Sequence, residues 1–426
     1  MLTDAFRERK GVRSGRLGLF ALGLGAFVVG TAELLVVGVL GLVARDLRIS
    51  VSTAGGLVTA YALGISLGGP LLTAATIRLG RRTVVWLALA AYVAGNVVAL
   101  AAASFGLLLV ARILTGSVHG LFIGVAFAVA AGLVPAERQG QAMSVVMGGV
   151  TVAIVVGVPL GTAIGHALGW RSAFAVVVAL GLVALAAALL LVPPVPARGA
   201  GDFRDQARAA LAPRVLVVLA VGLLLMGGQF TAFTYLAPYL EHVAGVSAGA
   251  VSAFLLVYGV AAAAGTFIGG KAADRGAAVT LIAANVLLML ALALLYLLGS
   301  SPVLAAVLLA AWGFVGFGLV SALQLRVVTL AGAGGDLAAT LGASAVNLGI
   351  AAGSLVGGAV LAGDGVHAVV LAGLVICTVA LPATWASRRL KPAVGNRDLR
   401  TAPPQAPRSG RGTRGAARIR ALRSRG

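Results

Sequence analysis

Residues 17–43 read LGLFALGLGAFVVGTAELLVVGVLGLV, an apolar run with a single charged residue, Glu33. A helix needs about 20 mainly apolar residues to cross a hydrocarbon core about 30 Å thick. Strands of a membrane barrel would be about 10 residues long, with alternating polarity that is absent here. The run therefore predicts a spanning α-helix. We expect it to be retained, because it is too long for the apolar part of a signal peptide.

Eleven further runs of this kind follow along the chain. The 426 residues are 60% hydrophobic and 10% charged, whereas a soluble domain carries about 25% charged residues. The predicted fold class is therefore all-α integral membrane, with twelve transmembrane helices. The predicted spans are 17–43, 51–77, 83–103, 106–133, 141–163, 171–192, 214–240, 247–269, 277–299, 302–325, 337–361 and 365–386.

The spans form two groups of six that are nearly equal in length. We predict an N-terminal bundle over 17–192 and a C-terminal bundle over 214–386, joined by a charged linker, 193–213. A cytoplasmic N-terminal segment, 1–16, precedes them, and a basic, disordered tail, 387–426, follows. The linker is predicted to hold a short surface helix around 203–211. Two bundles of six helices favour a carrier over a channel or a membrane enzyme.

The distribution of basic residues predicts the orientation. With both termini in the cytoplasm, only Arg45, Arg48 and Arg171 of the 32 Lys and Arg residues fall outside, and Arg112 falls within a helix. Cytoplasmic loops of membrane proteins are enriched in Lys and Arg. The net charge of +20 is therefore explained by topology, without nucleic-acid binding. For the tail, contact with anionic lipid and plain solvation both stay open.

Glu33 is the first candidate functional residue. A carboxyl group at membrane depth is costly, so it faces the bundle interior, pairs with another group or is protonated. These properties suit a group that loads and releases a proton. A structural carboxyl group held by neighbouring hydroxyls or amides is the alternative.

Arg112 is the second candidate, in the first turns of the fourth span. Its fixed charge could tune a nearby carboxyl group, or its side chain could snorkel to the membrane surface. Gly116, Gly120 and Gly124 follow it at intervals of four and predict a closely packed helix face. A lone helical histidine such as His119 is more often a packing residue than a proton relay.

Three other groups of residues complete the predicted sites. In the fifth span, Gly148, Gly157, Gly161 and Gly165 predict a smooth face, and Pro159 predicts a bend. Two loops at corresponding places in the two halves, TAATIRLGRR and GGKAADRG, predict a repeated cytoplasmic gate, with ordinary basic cytoplasmic loops as the alternative. A candidate substrate cavity, for which helix packing is an equal explanation, is predicted from Gln229, Phe233, Tyr235 and Asn347.

No cofactor or metal is predicted. Cys377 is the single cysteine, and the four histidines, His119, His166, His242 and His367, lack ligand spacing.

Taken together in chain order, these motifs resemble those of the major facilitator superfamily, in particular its drug:proton antiporters of the arabinose-efflux and chloramphenicol-resistance branch. The resemblance covers residues 17–386. Its motifs are Gly30-Thr31-Ala32-Glu33, Arg78-Leu79-Gly80-Arg81-Arg82, Arg112-x3-Gly116-x3-Gly120, Gly157-Val158-Pro159-Leu160-Gly161 and Gly270-x3-Asp274-Arg275.

The resemblance assigns roles to these residues. It implies proton coupling for Glu33 and Arg112, and an antiporter motif at Gly157, Pro159 and Gly161. It also implies a cytoplasmic gate made of Arg78, Gly80, Arg81, Arg82, Gly270, Asp274 and Arg275. The chain departs from the family at Ile77, where the gating loop usually carries Asp, so the gate of the first half is expected to depend on Arg78 and its neighbours.

The sequence therefore predicts a proton-coupled exporter of a drug or metabolite, working by alternating access as a monomer in the inner (plasma) membrane. Its expected partners are a small-molecule substrate, protons and membrane lipid. An exporter of sugars, nucleosides or amino acids is the alternative, and sodium in place of protons stays open. An enzyme would need a catalytic cluster, which the scattered acids do not provide. A non-transporting sensor would tolerate the loss of Glu33 and Arg112, and both are present.

Overall fold

A computed structural model of the protein describes residues 2–76, 78–135, 138–194, 208–332 and 335–392. Within these ranges the chain is almost entirely helical and contains no strand. The helices are α1 (Leu2–Asp46), α2 (Val51–Leu63), α3 (Gly69–Ala75), α4 (Arg81–Ala101), α5 (Phe105–Gly132), α6 (Gln139–Val152), α7 (Val158–Leu168), α8 (Trp170–Leu191), α9 (Pro213–Phe233), α10 (Leu236–His242), α11 (Val251–Leu298), α12 (Pro302–Ala331), α13 (Gly335–Asp364) and α14 (Ala368–Ser387).

Twelve membrane crossings can be traced through these helices. Eleven helical segments of the described chain are long and apolar enough to span a bilayer. One of them, Ala248–Leu298, has 51 residues and is long enough for two crossings. It turns at Gly276, whose φ of 178° and ψ of 84° leave the helical region. The twelve predicted spans are therefore confirmed as two sets of six.

Several predicted boundaries are wrong. The sequence GGKAADRG was predicted to be a loop, but it is helical up to Gly276, because no residue before that glycine interrupts the backbone hydrogen bonds. The fifth span continues to Leu168, five residues past its predicted end, and stops only at Gly169, whose φ of 88° favours glycine. The first helix extends back to Leu2, but its apolar, membrane-spanning part begins at Gly15, close to the predicted residue 17. Most of the surface helix predicted at 203–211 lies outside the described residues.

Close backbone contacts at glycines hold the helices of each half together. In the N-terminal half, a side chain at Gly116 would collide with the carbonyl group of Tyr61, and one at Gly120 would lie against Gly69. In the C-terminal half, Gly265 approaches Phe314 in the same way, and Gly269 approaches Gly318. Both halves therefore pack through small residues, as membrane helices do. Gly124, predicted to extend the first face, has open space beside it and does not take part.

The bundle has two ends, named here by one residue at each. The Asp46 end holds the end of α1 and the start of α2, and the Arg78 end holds the α3–α4 connection. At the Asp46 end the two halves are hydrogen-bonded to each other. The Ser52 hydroxyl donates to the Gly358 carbonyl at 2.6 Å, and the Tyr235 hydroxyl lies 3.4 Å from the Ser52 carbonyl. Nearer the middle, the Thr59 hydroxyl donates to the carbonyl of Ala351 at 3.3 Å.

Two π-helical segments interrupt the spans that face the other half. One, Gly64–Gly68, joins α2 to α3, and the other, Ala153–Gly157, joins α6 to α7. Each is followed two residues later by a proline, Pro70 or Pro159. Proline cannot donate a backbone hydrogen bond and its ring crowds the preceding turn, so a wider turn accommodates it. A bend was predicted at Pro159, and the structure has a π segment just before it; Pro70 follows a π segment in the second span in the same way.

The glycine face predicted in the fifth span packs against α1. A side chain at Gly157 would collide with the Thr31 hydroxyl, and Gly161 lies against Leu35 in the same way. Gly165 continues the contact toward the Asp46 end. A Cβ placed at Gly148, however, would have no atom within 4 Å. Its neighbour Gly149 makes the close contact with Gly23 instead. The face therefore runs through Gly149, and its assignment to Gly148 was wrong.

These two glycines provide a matched test of the packing. We expect Gly157→Val to destabilise the protein by about 1–3 kcal/mol, as overpacking does, and to impair transport. Gly148→Val introduces the same β-branched residue into the same span without a collision, so it should stay near the wild-type midpoint. Thermal unfolding of the two purified variants in detergent is the measurement. Equal midpoints would contradict the packing described here.

Candidate functional site

The site is built around Glu33, which lies near the middle of the first span. Glu33 is the only acidic residue of the chain that falls within a predicted span. Its side chain keeps 23% of its surface exposed, although it lies among buried neighbours. The Glu33 side chain is therefore neither fully buried nor free in solvent. Such a position suits a group that exchanges protons with water.

Arg112 reaches from α5 to the same turn of α1 and is almost fully buried. Its guanidinium group donates to the carbonyl of Ala32 at 2.8 Å and to the backbone carbonyl of Glu33 at 3.1 Å. A third, longer bond of 3.4 Å goes to the carbonyl of Leu57 on α2. Since each carbonyl oxygen has two lone pairs, these bonds need not break the helices. Arg112 thereby ties three helices together beside Glu33.

The energetics explain why a charge is stable in this place. Placing an arginine at the centre of a bilayer-spanning helix costs about 2.5–3.5 kcal/mol on insertion scales. Hydrogen bonds to a charged group contribute about 1.5–3 kcal/mol each, so the three carbonyl oxygens offset that cost. The guanidinium also lies 3.9 Å from the centroid of the Tyr61 ring, a favourable cation–π contact. Arg112 points into the bundle, so the snorkelling alternative is wrong.

His119, one to two turns deeper on α5, completes the contacts of Glu33. Its Nδ1 lies 3.8 Å from the Glu33 Oε2 and 3.0 Å from the Tyr61 hydroxyl. The Tyr61 hydroxyl in turn lies 2.9 Å from that of Tyr92 on α4. Both hydroxyl groups also approach the carbonyl of Val29, at 3.4 and 3.3 Å. We call these five side chains, Glu33, Tyr61, Tyr92, Arg112 and His119, the Glu33 cluster.

Sequence reasoning named Glu33 and Arg112 but missed Tyr61 and Tyr92. Their positions along the predicted spans could have identified them. Tyrosine in membrane proteins concentrates at the two interfaces, where its hydroxyl meets water. Tyr61 and Tyr92 instead lie near the middle of their spans, so their hydroxyls need partners within the protein. His119 was expected to be a hydrogen-bonded packing residue, and it does hydrogen-bond to Tyr61, with the Glu33 carboxyl group on its other side.

The residues predicted to form the gate lie at the Arg78 end. Arg81 donates to the carbonyl of Ala128 at 3.2 Å, and Arg82 donates to that of Leu189 at 2.8 Å. Both bonds stay within the N-terminal half. They cap carbonyl groups in the last turn or two of α5 and α8, where positive charge also interacts favourably with the helix dipole. Arg78, Asp274 and Arg275 are exposed, as is Gly80, and Gly270 is half-buried. Ile77 lies outside the described residues.

The four candidate cavity residues lie in different environments. Gln229 is buried and accepts a hydrogen bond from the Trp312 indole at 3.3 Å. Phe233 packs in an aromatic cluster with Tyr258 and Trp312. Gln229 and Phe233 therefore both belong to the packed interior of the C-terminal half. Tyr235 lies in the contact between the halves described above. Asn347 is half-buried, and its Oδ1 has no partner among the described residues.

No group of three or more His, Cys, Asp or Glu side chains forms a metal-binding cluster in the described part of the chain. Cys377 is fully buried against Gly228. The Glu33 cluster combines a carboxyl group, a neighbouring fixed charge and a hydrogen-bonded chain of polar groups.

Comparison with known proteins gives a consistent result. The model of the Major Facilitator Superfamily matches residues 22–342. An uncharacterized transporter of this type from Bacillus subtilis, YtbD, is 38% identical over 375 residues, which cover 86% of this chain and 94% of the relative. The inner membrane transport protein YdhP of Escherichia coli is 34% identical over 375 residues, covering 88% and 96%.

Two further comparisons concern a named relative and a solved structure. A chloramphenicol resistance protein of Streptomyces lividans is 34% identical over 344 residues, covering 80% of this chain and 88% of that protein. The crystal structure of a bacterial homologue of the human lysosomal transporter Spinster, inward-facing and unoccupied, superposes with a TM-score of 0.73. It covers 88% of this chain and 97% of its own, at 16% identity, and so shows the shared fold.

Proposed function

The chain belongs to the major facilitator superfamily of membrane transporters, and from that premise we propose that it exports a small molecule in exchange for protons. Family membership establishes a multi-pass membrane transporter rather than an enzyme. The proposal adds the direction of transport, the coupling ion and the location in the plasma (inner) membrane, with the protein working as a monomer.

The observation that carries the proton coupling is the placement of Glu33. It is the only acid within a predicted span, it is partly exposed, and the charge of Arg112 is held at its own turn of α1. When Glu33 is ionised, its negative charge lies close to the positive charge of Arg112. When Glu33 takes up a proton, it becomes neutral and that attraction is lost. Loading and release of that proton would then alter the electrostatic balance of a turn that α1, α2 and α5 share.

The orientation follows from the positive-inside rule, with both termini in the cytoplasm. The Asp46 end then faces outward and the Arg78 end faces the cytoplasm. With this orientation, the hydrogen bonds between the halves, which lie at the Asp46 end and in mid-bundle, would close the substrate path to the outside. Rocking of the two bundles about the central site would break these bonds and expose the substrate to the outside. The Arg78-end residues form the opposite gate in that alternate state.

Two observations support export. The chloramphenicol resistance protein of Streptomyces lividans shares 34% identity with this chain, which favours a drug or a drug-like metabolite as substrate. The glycine face of the fifth span, including Gly157 and Gly161, packs closely on the helix that carries Glu33, as expected for the antiporter motif. Sugars, nucleosides and amino acids are the alternative substrates.

The proposal is tested by measuring the accumulation of antibiotics, dyes, sugars and nucleosides in cells that express the chain. We expect at least one class to accumulate less than in cells with empty vector, and a protonophore should abolish the difference. Export that persists unchanged with the protonophore would contradict proton coupling. Greater accumulation in expressing cells would contradict export.

A further inference from the structure

His119 has two oxygen atoms competing for one ring nitrogen. Its Nδ1 lies 3.0 Å from the Tyr61 hydroxyl, within hydrogen-bonding distance, and 3.8 Å from Glu33 Oε2, beyond it. The ring lies edge-on to that of Tyr61, with centroids 5.7 Å apart. In this structure the imidazole is therefore bound to Tyr61, while Glu33 lies less than 1 Å beyond hydrogen-bonding range.

The charge of Glu33 decides which partner is preferred. A hydrogen bond to an ionised carboxylate is shorter and about twice as strong as one between neutral groups. With Nδ1 carrying the hydrogen, an ionised Glu33 attracts it away from the neutral hydroxyl of Tyr61. When Glu33 is protonated that attraction disappears, and the bond to Tyr61 is restored. A single tautomer of the imidazole serves both states.

The other titratable and charged groups around Glu33 cannot make this exchange. Within the described chain they are Arg112 on α5, Tyr61 on α2 and Tyr92 on α4. The donors of Arg112 are directed to three backbone carbonyls rather than to the carboxyl group. The Tyr92 hydroxyl bonds to Tyr61 and to the carbonyl of Val29, and the Tyr61 hydroxyl is bonded to Tyr92 and His119. His119 is thus the member of the cluster whose partner can change with the charge of Glu33.

The exchange would reach beyond the carboxyl group. When His119 leaves, the Tyr61 hydroxyl keeps only Tyr92 and the carbonyl of Val29 as partners. Val29 lies one turn before Glu33 on α1, and the Tyr61 ring supports Arg112. The contacts between α1, α2 and α4 would therefore differ between the two charge states.

We propose that His119 is a positioning residue that binds Tyr61 when Glu33 is protonated and Glu33 when it is ionised, and so transmits the charge of Glu33 to α2 and α4. This inference rests on the proposed function in one respect, since it needs Glu33 to gain and lose a proton.

Infrared difference spectroscopy tests it without a known substrate. The purified transporter in lipid vesicles is titrated while the carbonyl band of protonated carboxyl groups is recorded, and the part lost in Glu33→Gln is assigned to Glu33. His119→Leu removes the donor to the ionised form, so its midpoint should move to higher pH. Tyr61→Phe removes the competing partner of the protonated form, so its midpoint should move to lower pH. Each shift should be about one pH unit, tenfold in the proton-binding constant.

Three controls separate this role from a structural one. His119→Asn keeps a donor near the place of Nδ1 and should have a midpoint closer to wild type than His119→Leu has. Should His119→Leu not fold, Tyr61→Phe carries the test, and a midpoint that fails to move to lower pH would overturn the inference. His166→Leu alters a histidine bonded to the Gly38 carbonyl and should leave the midpoint unchanged. Shifts of His119→Leu and Tyr61→Phe in the same direction, or no shift in either, would overturn the inference. A wild-type spectrum with no titrating band that Glu33→Gln removes would overturn the proposed role of Glu33 itself.

Discussion

Oxidation of the double variant Ser52→Cys, Gly358→Cys is expected to abolish transport, and a reducing agent should restore it. A Cβ placed at Gly358 lies 3.3 Å from the Ser52 hydroxyl oxygen, close enough for a disulfide between the two new side chains. The bond would join α2 to α13 across the contact between the halves. Because alternating access requires this contact to open, a covalent link should reduce transport to the background of cells without the protein.

The chain offers good controls for this experiment. Cys377, the single native cysteine, is buried and can be replaced by alanine in all variants. Each single variant should keep its activity under oxidation, which separates the disulfide from the substitutions. The new side chain at 358 would press on the Tyr235 hydroxyl, which lies at the far end of a long side chain. The single variant Gly358→Cys therefore measures how much this contact alone reduces transport. Wild-type transport by the cross-linked protein would contradict a moving contact at the Asp46 end.

Glu33→Gln is expected to reduce proton-driven transport to background while the protein stays folded. Glutamine has nearly the shape of a protonated glutamate and keeps a donor and an acceptor, but it cannot release a proton. Exchange of labelled for unlabelled substrate across the membrane moves no net proton and should survive. The measurement is transport into proteoliposomes, with and without a pH gradient.

The matched control is Glu241→Gln, which makes the same change in the last turns of α10, outside the predicted spans. It should transport at the wild-type rate. If Glu33→Gln lost substrate exchange as well, the residue would be needed for binding or structure rather than for coupling alone. Proton-driven transport at the wild-type rate would remove Glu33 from the mechanism.

The fold was largely predictable, since the length and composition of each run decide whether a helix crosses a bilayer. The boundaries were less so. The loop predicted at GGKAADRG is helical because charged residues end a hydrophobic pattern without ending a helix, whereas Gly276 changes the backbone direction. Likewise, Pro159 predicted a bend, whereas the structure has a π segment over Ala153–Gly157, which the sequence alone did not indicate.

The site was predictable where a residue type is costly in a membrane. Glu33 and Arg112 are conspicuous for that reason. Their mutual arrangement was not, because Arg112 binds backbone carbonyls, which every residue possesses, and these leave no pattern in the sequence. Tyr61 and His119 each have an ordinary explanation as packing residues. Only the packing of α1, α2 and α5 against one another shows that their polar atoms meet at Glu33.

The most direct test of proton-coupled export is accumulation in inside-out membrane vesicles, using a compound that the cellular assay identifies. An acidic vesicle interior should drive wild-type accumulation, collapse of the pH gradient should abolish it, and Glu33→Gln should show none. Accumulation that persists without the pH gradient, or that follows a sodium gradient instead, would contradict the account.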